Sequence, residues 1–456
     1  MPKSRTRRPT QGPQPAKPSK SARPVLPIRP ETPAQPDQPV QWDPSVPTVL
    51  FIHNGAPGRF THIAKALLAH GWCGALINGP TGTDIEGLDN RRFAFRLPEV
   101  RPSFRPVQRV EQALLMGRGA AQAAEKLKAE GFAPDLIIGH PGWGEMLYLN
   151  EVFRGVPQIQ LGEYYYHSEG ADSNFDPEFP ARQLDSRIMV VAQNAHFALS
   201  YVEARAIVVP TPFQASLIPA CFQTKVQVIL EGIETGTIAR TPPEALKLAD
   251  GTTFDGSFPF ISFANRRFEP LRGAHVFMRM LPRFQELAPT AHVLMIGADD
   301  PGTYGLPPPG GGTWLQTLLK ELDGKLDMSR IHILPPLPHQ QLHRVFSNTA
   351  AHVYLTYPFV LSWSLLEAMA CEAVVVGSDT APVRDAIRHG ENGLLVDFFD
   401  GEVMARQLAE VCQEPARFEH LRAPARATVI EYYDRATICD PAWMKLIGEV
   451  SGIAVD

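Results

Sequence analysis

Short runs of consecutive apolar residues recur along most of this chain, and longer stretches of helical pattern separate many of them. Five such runs occur in the first half, with the sequences TVLFIH (48–53), CGALIN (73–78), DLIIGH (135–140), PQIQLG (157–162) and AIVVP (206–210). Strands that are apolar on both faces are typical of parallel sheets covered by helices on both sides. The pattern therefore predicts an α/β fold, with amphipathic segments at 61–70 and 110–130 among the covering helices.

A second series of the same kind follows. Its apolar runs are VQVIL (226–230), FISFAN (260–265), AHVLMIG (291–297), RIHILP (330–335), AHVYLTY (351–357), EAVVVGS (372–378) and GLLVD (393–397), with helical patterns at 274–287, 312–322, 340–348 and 364–370. Two doubly wound, Rossmann-like parallel-sheet domains are the simplest interpretation, and ligands of such sheets bind beyond the carboxyl ends of the strands. We expect an N-terminal domain over 46–225, a C-terminal domain over 226–435, a cleft between them, and a final helix within 436–456 that returns toward the first domain.

The N-terminal residues and the composition limit the kinds of protein that this chain can be. Residues 1–45 are rich in proline and basic residues and poor in large apolar ones, which predicts a disordered tail whose contact with a membrane surface stays open. The net charge of −5 argues against a nucleic-acid partner. Five scattered cysteines indicate reduced thiols, and no apolar run reaches the roughly 18–20 residues of a membrane span. We expect a cytoplasmic protein without a transmembrane segment.

Two segments of the second series have the features of a diphosphate site. In YPFVLSWSLLEAMACEAVVVGSDTAPVRDAIRHGENGLLVD (357–397), a loop at 360–364 opens a helix that carries Glu367 about one turn inside. A helix N-terminus presents unpaired N–H groups and a positive dipole end, which favour an anion. In FANRRFEPLRGAHVFMRML (263–281), Arg267 and Arg272 can supply positive charge, with Arg266 as the alternative to Arg267.

These segments resemble the signature of the retaining glycosyltransferases of family 4, which have the GT-B fold of two facing Rossmann-like domains. The resemblance implies a nucleotide-diphosphate sugar as donor, with Arg267 and Arg272 as catalytic cations on its phosphates and Glu367 on the ribose hydroxyls. It places the donor against Val360, Leu361, Ser362, Trp363 and Ser364, and it implies neither a metal ion nor another cofactor. One feature departs from the family: its first acid, eight positions before Glu367, is replaced by Phe359. This leaves the donor sugar and catalytic competence open.

The first domain is expected to hold the acceptor, which the resemblance implies is a glycan, a lipid-linked sugar or another hydroxyl compound. The segment HNGAPGRFTHIAKALLAHG (53–71) is similar to the family's first glycine loop and contributes Gly55 and Gly58. His140, at the end of a predicted strand, is the candidate catalytic residue nearest the reacting sugar. Trp143, Glu145 and the tyrosines at 164–166, with Tyr165 at their centre, are candidates for acceptor contact.

The function expected from these features is hexosyl transfer with retention, in polysaccharide or glycoconjugate synthesis. Two alternatives stay open: a noncatalytic scaffold that binds a nucleotide sugar or glycan, and a nucleotide-sugar epimerase on the same architecture. A metal site is not expected. His339 and His343 have the i, i+4 spacing of helical zinc ligands, but HQQLH lacks the glutamate of a zincin and shows no obvious third ligand.

Overall fold

The computed structural model describes residues 42–455, except 56–57, 100–101, 103, 181–182, 243–244, 249–250 and 303. The predicted tail therefore lies outside the described residues up to position 41. Within the described ranges, no helix is both long and apolar enough to cross a membrane.

The first sheet has seven strands, all parallel, because its apolar runs are buried on both faces and joined by crossover segments. Their order is β3-β2-β1-β4-β5-β6-β7. The strands are β1 Thr48–His53, β2 Cys73–Asn78, β3 Asp89–Arg92, β4 Leu136–Gly139, β5 Gln158–Leu161, β6 Ala206–Val209 and β7 Val226–Val228.

The strand predicted to open the second sheet belongs to the first one. Val226 pairs with Ile207 and Val228 with Val209, so β7 forms the edge of the first sheet beside β6. The domain boundary expected between residues 225 and 226 is therefore wrong, and the chain leaves the first sheet only after Val228. An apolar run specifies a strand but not the sheet that it joins. The other edge, β3, was not predicted because its residues, DNRR, are polar.

The second sheet has six parallel strands in the order β12-β11-β10-β13-β14-β15, and a two-stranded antiparallel hairpin, β8 with β9, precedes it in the chain. The hairpin strands, β8 Leu246–Lys247 and β9 Thr253–Phe254, were not predicted. The six strands of the sheet lie where apolar runs predict them, which confirms the two-sheet α/β architecture. They are β10 Phe260–Arg267, β11 His292–Ala298, β12 Ile331–Leu334, β13 Ala351–Tyr354, β14 Val375–Ser378 and β15 Leu394–Val396.

Helices fill the connections of both sheets. Those before β8 are α1 Gly58–Ala69, α2 Arg105–Ala129, α3 Leu149–Val152, α4 Leu184–Ala192, α5 Ala195–Glu203 and α6 Pro212–Leu217. Those after β10 are α7 Ala274–Leu287, α8 Trp314–Glu321, α9 His339–Asn348, α10 Trp363–Ala370, α11 Ala381–Arg384, α12 Gly401–Gln413, α13 Pro415–Phe418, α14 Arg422–Tyr433 and α15 Asp440–Ser451. Shorter turns of 3₁₀ or π type occupy Ala220–Lys225, Pro270–Arg272, Met328–Arg330, Glu419–Leu421 and Arg435–Cys439.

The last helix packs on the first sheet. Helix α15 contacts α1 and β5, and it buries Trp443, Leu446 and Ile447 in the same apolar cluster as Phe51 and Leu76. Burial of a large apolar side chain contributes about 1.5–3 kcal/mol, so these three residues anchor the chain end firmly. The chain thus crosses between the sheets twice, and Ile233 of one crossing pairs with Asp434 of the other.

Residues 171–179 of the first half, which we call the strap, pack against elements of the second sheet. The ring of Phe175 lies 5.1 Å from that of Tyr357 and 5.3 Å from that of Phe398. Buried Asp176 accepts hydrogen bonds from His275 Nε2 at 2.9 Å and from the Tyr357 hydroxyl at 2.5 Å. The strap therefore fixes the two sheets relative to each other.

Candidate functional site

The carboxyl ends of the two sheets face a common cleft. Tyr164, which follows β5, has its hydroxyl 2.9 Å from the carbonyl oxygen of Pro358, which follows β13. Trp363, at the start of α10, donates from its indole nitrogen to Glu231 in the first crossing, over 3.3 Å. The ends of parallel strands in two doubly wound sheets are thus brought together, as such sheets require for a shared ligand site.

A chain of charged groups lines the first-sheet side of this cleft. Arg59, at the start of α1, donates to Glu231 Oε1 over 2.6 Å and to Glu163 Oε1. Glu163 lies two residues after the end of β5, and its second oxygen lies 3.1 Å from His140 Nε2. The backbone N–H of Gly142 donates to His140 Nδ1 over 2.9 Å, so Nε2 carries the proton of the neutral ring and donates to Glu163.

The charges of this network are fixed by their surroundings. Burial would raise the pKa of Glu163, but Arg59 and His140 outweigh it and lower that pKa to about 2, so the carboxylate is ionised at neutral pH. Burial, together with the nearby His140 and Arg59, lowers the pKa of His53 to about 3. His53 is therefore neutral, with its Nδ1 accepting from the Gly55 N–H over 2.9 Å.

The catalytic role expected of His140 stays a prediction. The structure places this residue at the end of β4, where the sequence positioned it, but the side chain is buried and both ring nitrogens have protein partners. The ring lies beside that of Trp143, with centroids 5.1 Å apart. In this arrangement His140 holds Glu163 in place, and Glu163, a quarter exposed, is the group that faces the cleft.

Sequence reasoning missed Arg59, Glu163 and Glu231 as parts of the site. A signal for Glu163 was present, since it directly follows a predicted strand, the position used to select His140. Arg59 follows the glycine loop, but nothing in the sequence showed that its guanidinium reaches two carboxylates from distant segments. Glu231 lies in the crossing after β7, where no periodic pattern identifies a facing side chain.

The expected acceptor-side residues divide into exposed and buried ones. Glu145 is fully buried and accepts from the Trp143 N–H over 3.0 Å, so it supports the loop instead of meeting an acceptor. Burial raises its pKa to about 8, against hydrogen bonds from backbone N–H groups. Tyr165 packs beside His167 and Tyr201, with ring centroids 5.8 and 6.4 Å away. The burial of Glu145 thus contradicts its expected contact with the acceptor.

The glycine loop that was expected to contact the acceptor is partly described, since residues 56–57 lie outside the described residues. Gly55 is positioned by its hydrogen bond to His53, and Gly58 is the first residue of α1. A Cβ atom at Gly58 would meet nothing within 4 Å, so open space surrounds this position. Both glycines lie at the carboxyl end of β1, next to the strand ends that carry His140 and Glu163.

A cavity of about 350 Å³ opens beside Trp143. Its lining combines aromatic rings with polar groups, from Arg109, Gln112, Ala113, Met116, Gly142, Trp143, Tyr166, Gln193, His196 and Phe197. Trp143 is 42% exposed, which leaves its ring face available for stacking. Of the residues expected at the acceptor, Trp143 and Tyr166 line this cavity, and Tyr165 does not.

Arg272 is the central basic residue of the second-sheet side. Its Nη1 donates to the carbonyl oxygen of Val360 over 3.0 Å and to Thr356 Oγ1 over 2.9 Å. Its Nε and Nη2 have no hydrogen-bond partner within the described part of the chain, so they can reach a ligand. Gly273 follows at φ 71°, where a Cβ would lie 2.4 Å from that of Leu355, which explains the glycine.

The other two arginines lie at the end of β10. Arg267 Nε donates to Asp300 Oδ1 over 2.6 Å, so part of its charge is already compensated. Arg266 is exposed, and its Nη1 lies 3.5 Å from the hydroxyl of Tyr304. The structure thus brings all three arginines to one end of the sheet, and both members of the alternative left by the sequence lie there.

Phe359 occupies the position of the family's first acid and fills it with an aromatic ring. The ring is buried, 4.5 Å from that of Tyr164 and 5.9 Å from that of Tyr304. The Arg272 guanidinium carbon lies 5.7 Å from its centroid, at the outer range of a cation–π contact. An apolar contact between the two halves of the protein therefore replaces the missing carboxylate.

The loop at 360–364 opens helix α10 as the sequence predicts. Ser362 is the N-cap, and its hydroxyl accepts from the Ser364 N–H over 3.3 Å. The side chains of Val360 and Leu361 are buried in the apolar clusters of the second sheet. Only the backbone of these two residues is available to a donor, whereas Trp363 is partly exposed at the cleft.

Glu367, one turn into α10, is buried and meets two histidines of α9. His343 Nε2 lies 3.3 Å from Glu367 Oε2, and His339 Nδ1 lies 3.5 Å from Glu367 Oε1. This trio is one of two groups among the described residues that could hold a metal ion, and the other is Asp176, Glu178 and His275 in and beside the strap. A third candidate ligand for the two histidines of HQQLH is thus Glu367, which lies 24 residues after His343 in the chain.

Two family models match the chain in succession. The model described as glycosyl transferase family 4 group matches residues 80–238, and the model described as glycosyl transferases group 1 matches residues 252–428. Together they span most of the chain. Residues 239–251, which separate the two matches, lie between β7 and β10, where the polypeptide passes from the first sheet to the second.

Curated relatives and solved structures agree with these matches. The D-inositol 3-phosphate glycosyltransferase of Thermobispora bispora is 26% identical over 206 residues, 44% of this chain and 45% of the relative. That of Mycolicibacterium vanbaalenii is 27% identical over 257 residues, 55% of this chain and 53% of the relative. The chain therefore spans about half the length of the curated relatives it matches.

The fold is shared with solved structures at low identity. Sucrose-phosphate synthase from Thermosynechococcus elongatus superposes with a TM-score of 0.66 at 16% identity, over 90% of this chain and 100% of that one. Anabaena HepE in complex with UDP and glucose gives a TM-score of 0.58 at 14% identity, over 88% and 99%. With its two matching family models and its two facing Rossmann-like domains, the chain belongs to the family 4 glycosyltransferases of GT-B fold.

Proposed function

We propose that this protein transfers a sugar from a nucleotide-diphosphate donor, bound by the second domain, to a hydroxyl acceptor bound by the first. The observation that carries the proposal is the position of Arg272. It reaches from the end of the 3₁₀ turn after β10 to Val360 O over 3.0 Å, while two of its nitrogens point to no partner in the described ranges. A guanidinium held beside a helix-opening loop is suited to a diphosphate.

The donor half of the site supplies charge and a ribose contact. Arg272, with Arg266 or Arg267, offsets the negative charge that develops on the diphosphate as the bond to the anomeric carbon breaks. The start of α10 adds its positive dipole end. Glu367 is the acceptor for ribose hydroxyls, since its carboxylate lies about one turn behind that helix start. Resident metal is not needed for this step, because the arginines supply the charge.

The acceptor half is the cavity beside Trp143. Its aromatic walls suit the apolar face of a sugar ring, and Arg109, Gln112 and His196 offer polar contacts for hydroxyl or anionic substituents. Glu163 faces the cleft in ionised form and is held by Arg59 and His140. It can accept a hydrogen bond from the attacking hydroxyl and so orient it. We expect retention at the anomeric carbon, as in the family.

Glu367→Gln tests the donor half directly. Calorimetric titration with UDP, GDP, ADP and their hexose derivatives is expected to give one selective binder for the wild type. The Gln variant keeps the shape of the side chain but loses the charge-assisted bonds to ribose, so its affinity should fall about 10- to 100-fold, equivalent to about 1.5–3 kcal/mol. Glu391→Gln, on the surface, is the matched control. A folded wild type that binds no nucleotide would refute the donor site.

Phe359 favours one rival, a nucleotide-sugar-binding scaffold without catalysis. A ring packed between Tyr164 and Tyr304 leaves no carboxylate at the position where the family has its first acid. Incubation of the protein with the selected donor and a panel of acceptors, followed by mass spectrometry, separates the two. Formation of a glycosylated acceptor supports the enzyme, and NMR of the product reports whether the anomeric configuration is retained. Tight donor binding without any product would establish the scaffold.

A further inference from the structure

The histidine pair of α9 and the carboxylate of α10 converge on one point. His339 and His343 are one helical turn apart, which places both imidazoles on the same face, with ring centroids 6.0 Å apart. Glu367 meets this face from the neighbouring helix, and each of its oxygens faces one imidazole nitrogen, at 3.5 and 3.3 Å. One ligand atom from each of the three residues can be chosen so that all lie within 4.8 Å of one another.

These distances approach those of a tetrahedral metal site. Zinc bonds of about 2.0–2.2 Å place neighbouring ligand atoms about 3.3–3.6 Å apart. Each imidazole nitrogen lies at such a spacing from one carboxylate oxygen, His339 Nδ1 from Oε1 and His343 Nε2 from Oε2. For one oxygen and both nitrogens to meet an ion, the carboxylate has to rotate and His339, whose side chain is 76% exposed, has to change its rotamer. Little backbone movement would therefore be needed to close the site around an ion.

The ligand types select the class of metal. Two imidazoles and one carboxylate suit zinc and its neighbours among the divalent transition metals, whereas magnesium and calcium prefer oxygen ligands throughout. Glu367 and His343 are largely buried, with side chains 8% and 13% exposed, while His339 lies at the surface. An ion can thus arrive from solvent past His339 and keep a fourth position for water.

The second group that could hold a metal ion, Asp176, Glu178 and His275, differs because its carboxylates already have protein partners. In the strap, Asp176 already accepts from His275 and Tyr357, and both oxygens of Glu178 accept from Arg279, over 2.6 and 2.9 Å. The carboxylate oxygens of Asp176 and Glu178 are thus already occupied by donors from the second domain, and these bonds hold the two domains together. Among the residues that the structure describes, no arginine, lysine or hydroxyl group bonds to Glu367, whose contacts are with the two histidines.

We propose that His339, His343 and Glu367 form a zinc site that competes with the donor nucleotide. The competition rests on the proposed function, because it needs Glu367 to bind ribose. A carboxylate that binds zinc gives up a lone pair and much of its negative charge to the ion, so it accepts hydrogen bonds from the ribose hydroxyls more weakly. Zinc would therefore act against donor binding and take no part in sugar transfer. The binding of zinc itself does not depend on the nucleotide.

Zinc uptake by metal-free protein is the first measurement. Competition of the full chain with a chromophoric chelator, together with the visible bands of Co²⁺, is expected to show one ion per chain with tetrahedral ligands. His339→Ala removes an exposed ligand without disturbing the core, and Glu367→Gln removes the carboxylate at constant shape. Each should weaken zinc binding about 10-fold or more, since even the loss of an outer-shell partner costs 10- to 100-fold. His70→Ala, another exposed histidine, is the control.

The site is overturned if the wild type takes up no stoichiometric zinc, or if His339→Ala binds it as tightly as the wild type. The competition is then tested by titrating the nucleotide at several zinc concentrations. Because zinc also binds diphosphates in solution, wild type and His339→Ala are compared, and only the excess effect in the wild type reports the site. An equal zinc effect on both overturns the competition. A metal-free protein that binds no nucleotide refutes the proposed function, while the stoichiometry still decides the zinc site.

Discussion

Replacement of Arg272 by alanine is the sharpest test of how the second domain would hold a diphosphate. In the structure one terminal nitrogen of this guanidinium is committed to Thr356 and Val360, which leaves Nε and Nη2 for the ligand. Each charge-assisted hydrogen bond contributes about 1.5–3 kcal/mol, and two such bonds overlap in energy because they share one charge. We therefore expect a loss of about 2–4 kcal/mol, a 30- to 1000-fold weaker nucleoside diphosphate complex.

The ligand series separates this effect from a general disturbance of the loop. Arg272→Ala also frees the Val360 carbonyl, so a reduced affinity for every nucleotide would indicate that the loop has moved. Calorimetry with the diphosphate, the monophosphate and the nucleoside should show the loss growing with the number of phosphates. Arg272→Lys, which keeps the charge but not the planar fork, should recover part of it.

Arg388→Ala is the matched control, because Arg388 pairs with Glu391 at the surface. The reasoning is refuted if Arg272→Ala changes diphosphate affinity by less than about threefold while Arg388→Ala behaves like the wild type. It is also refuted if the diphosphate and the nucleoside lose affinity to the same extent, because the contact would then not involve the phosphates.

Two further predictions concern buried carboxyl groups. Asp176→Ala leaves His275 and Tyr357 without their buried partner and should lower the free energy of unfolding by about 3–5 kcal/mol at neutral pH. Burial alone would raise the pKa of Asp176, but these two donors lower it overall. The stabilisation by the Asp176 carboxylate is therefore present above about pH 4 and is lost as the pH falls. The stabilities of the two proteins, measured by thermal unfolding at pH 7 and pH 3, should converge at the lower pH, and a constant difference would contradict the assignment. For Glu145, burial raises the pKa to about 8, so the stabilisation of the folded state by its neutral form is lost as the pH rises through that value. Glu145→Gln should therefore be more stable than the wild type at pH 9 and nearly equal to it at pH 5 in the same assay, and a parallel pH dependence of the two proteins would refute a neutral buried acid.

The architecture could be predicted from the sequence because apolar runs and helical periods are local properties. The second sheet appears at the predicted runs, and α7 has the expected bounds, 274–287. The helix behind the donor loop begins at Trp363, one residue before its expected start. The resemblance to the family selected Arg272 and Glu367, and the structure places them after β10 and β13, which are neighbours in the sheet.

Errors arose where an outcome depends on partners far apart in the chain. The run at 226–230 was assigned to the wrong sheet, because strand propensity does not reveal which edge is free. Glu145 was expected at the acceptor, yet it lies beneath the loop, because a carboxyl group can be buried when it is protonated or hydrogen bonded. Arg59 was missed because its two carboxylate partners lie 104 and 172 residues away.

The amino-acid sequence by itself determined the two parallel sheets and the helix-opening loop, because each follows from periodicity or from neighbours a few positions apart. The resemblance to the family selected the basic residues beside that loop. Only the tertiary structure decided which side chains meet. It paired Glu163 with Arg59 and His140, set Phe359 against Tyr164, and brought Glu367 between His339 and His343. Such contacts depend on how sheets and helices pack, and packing energies sum over the whole chain instead of residing in a motif.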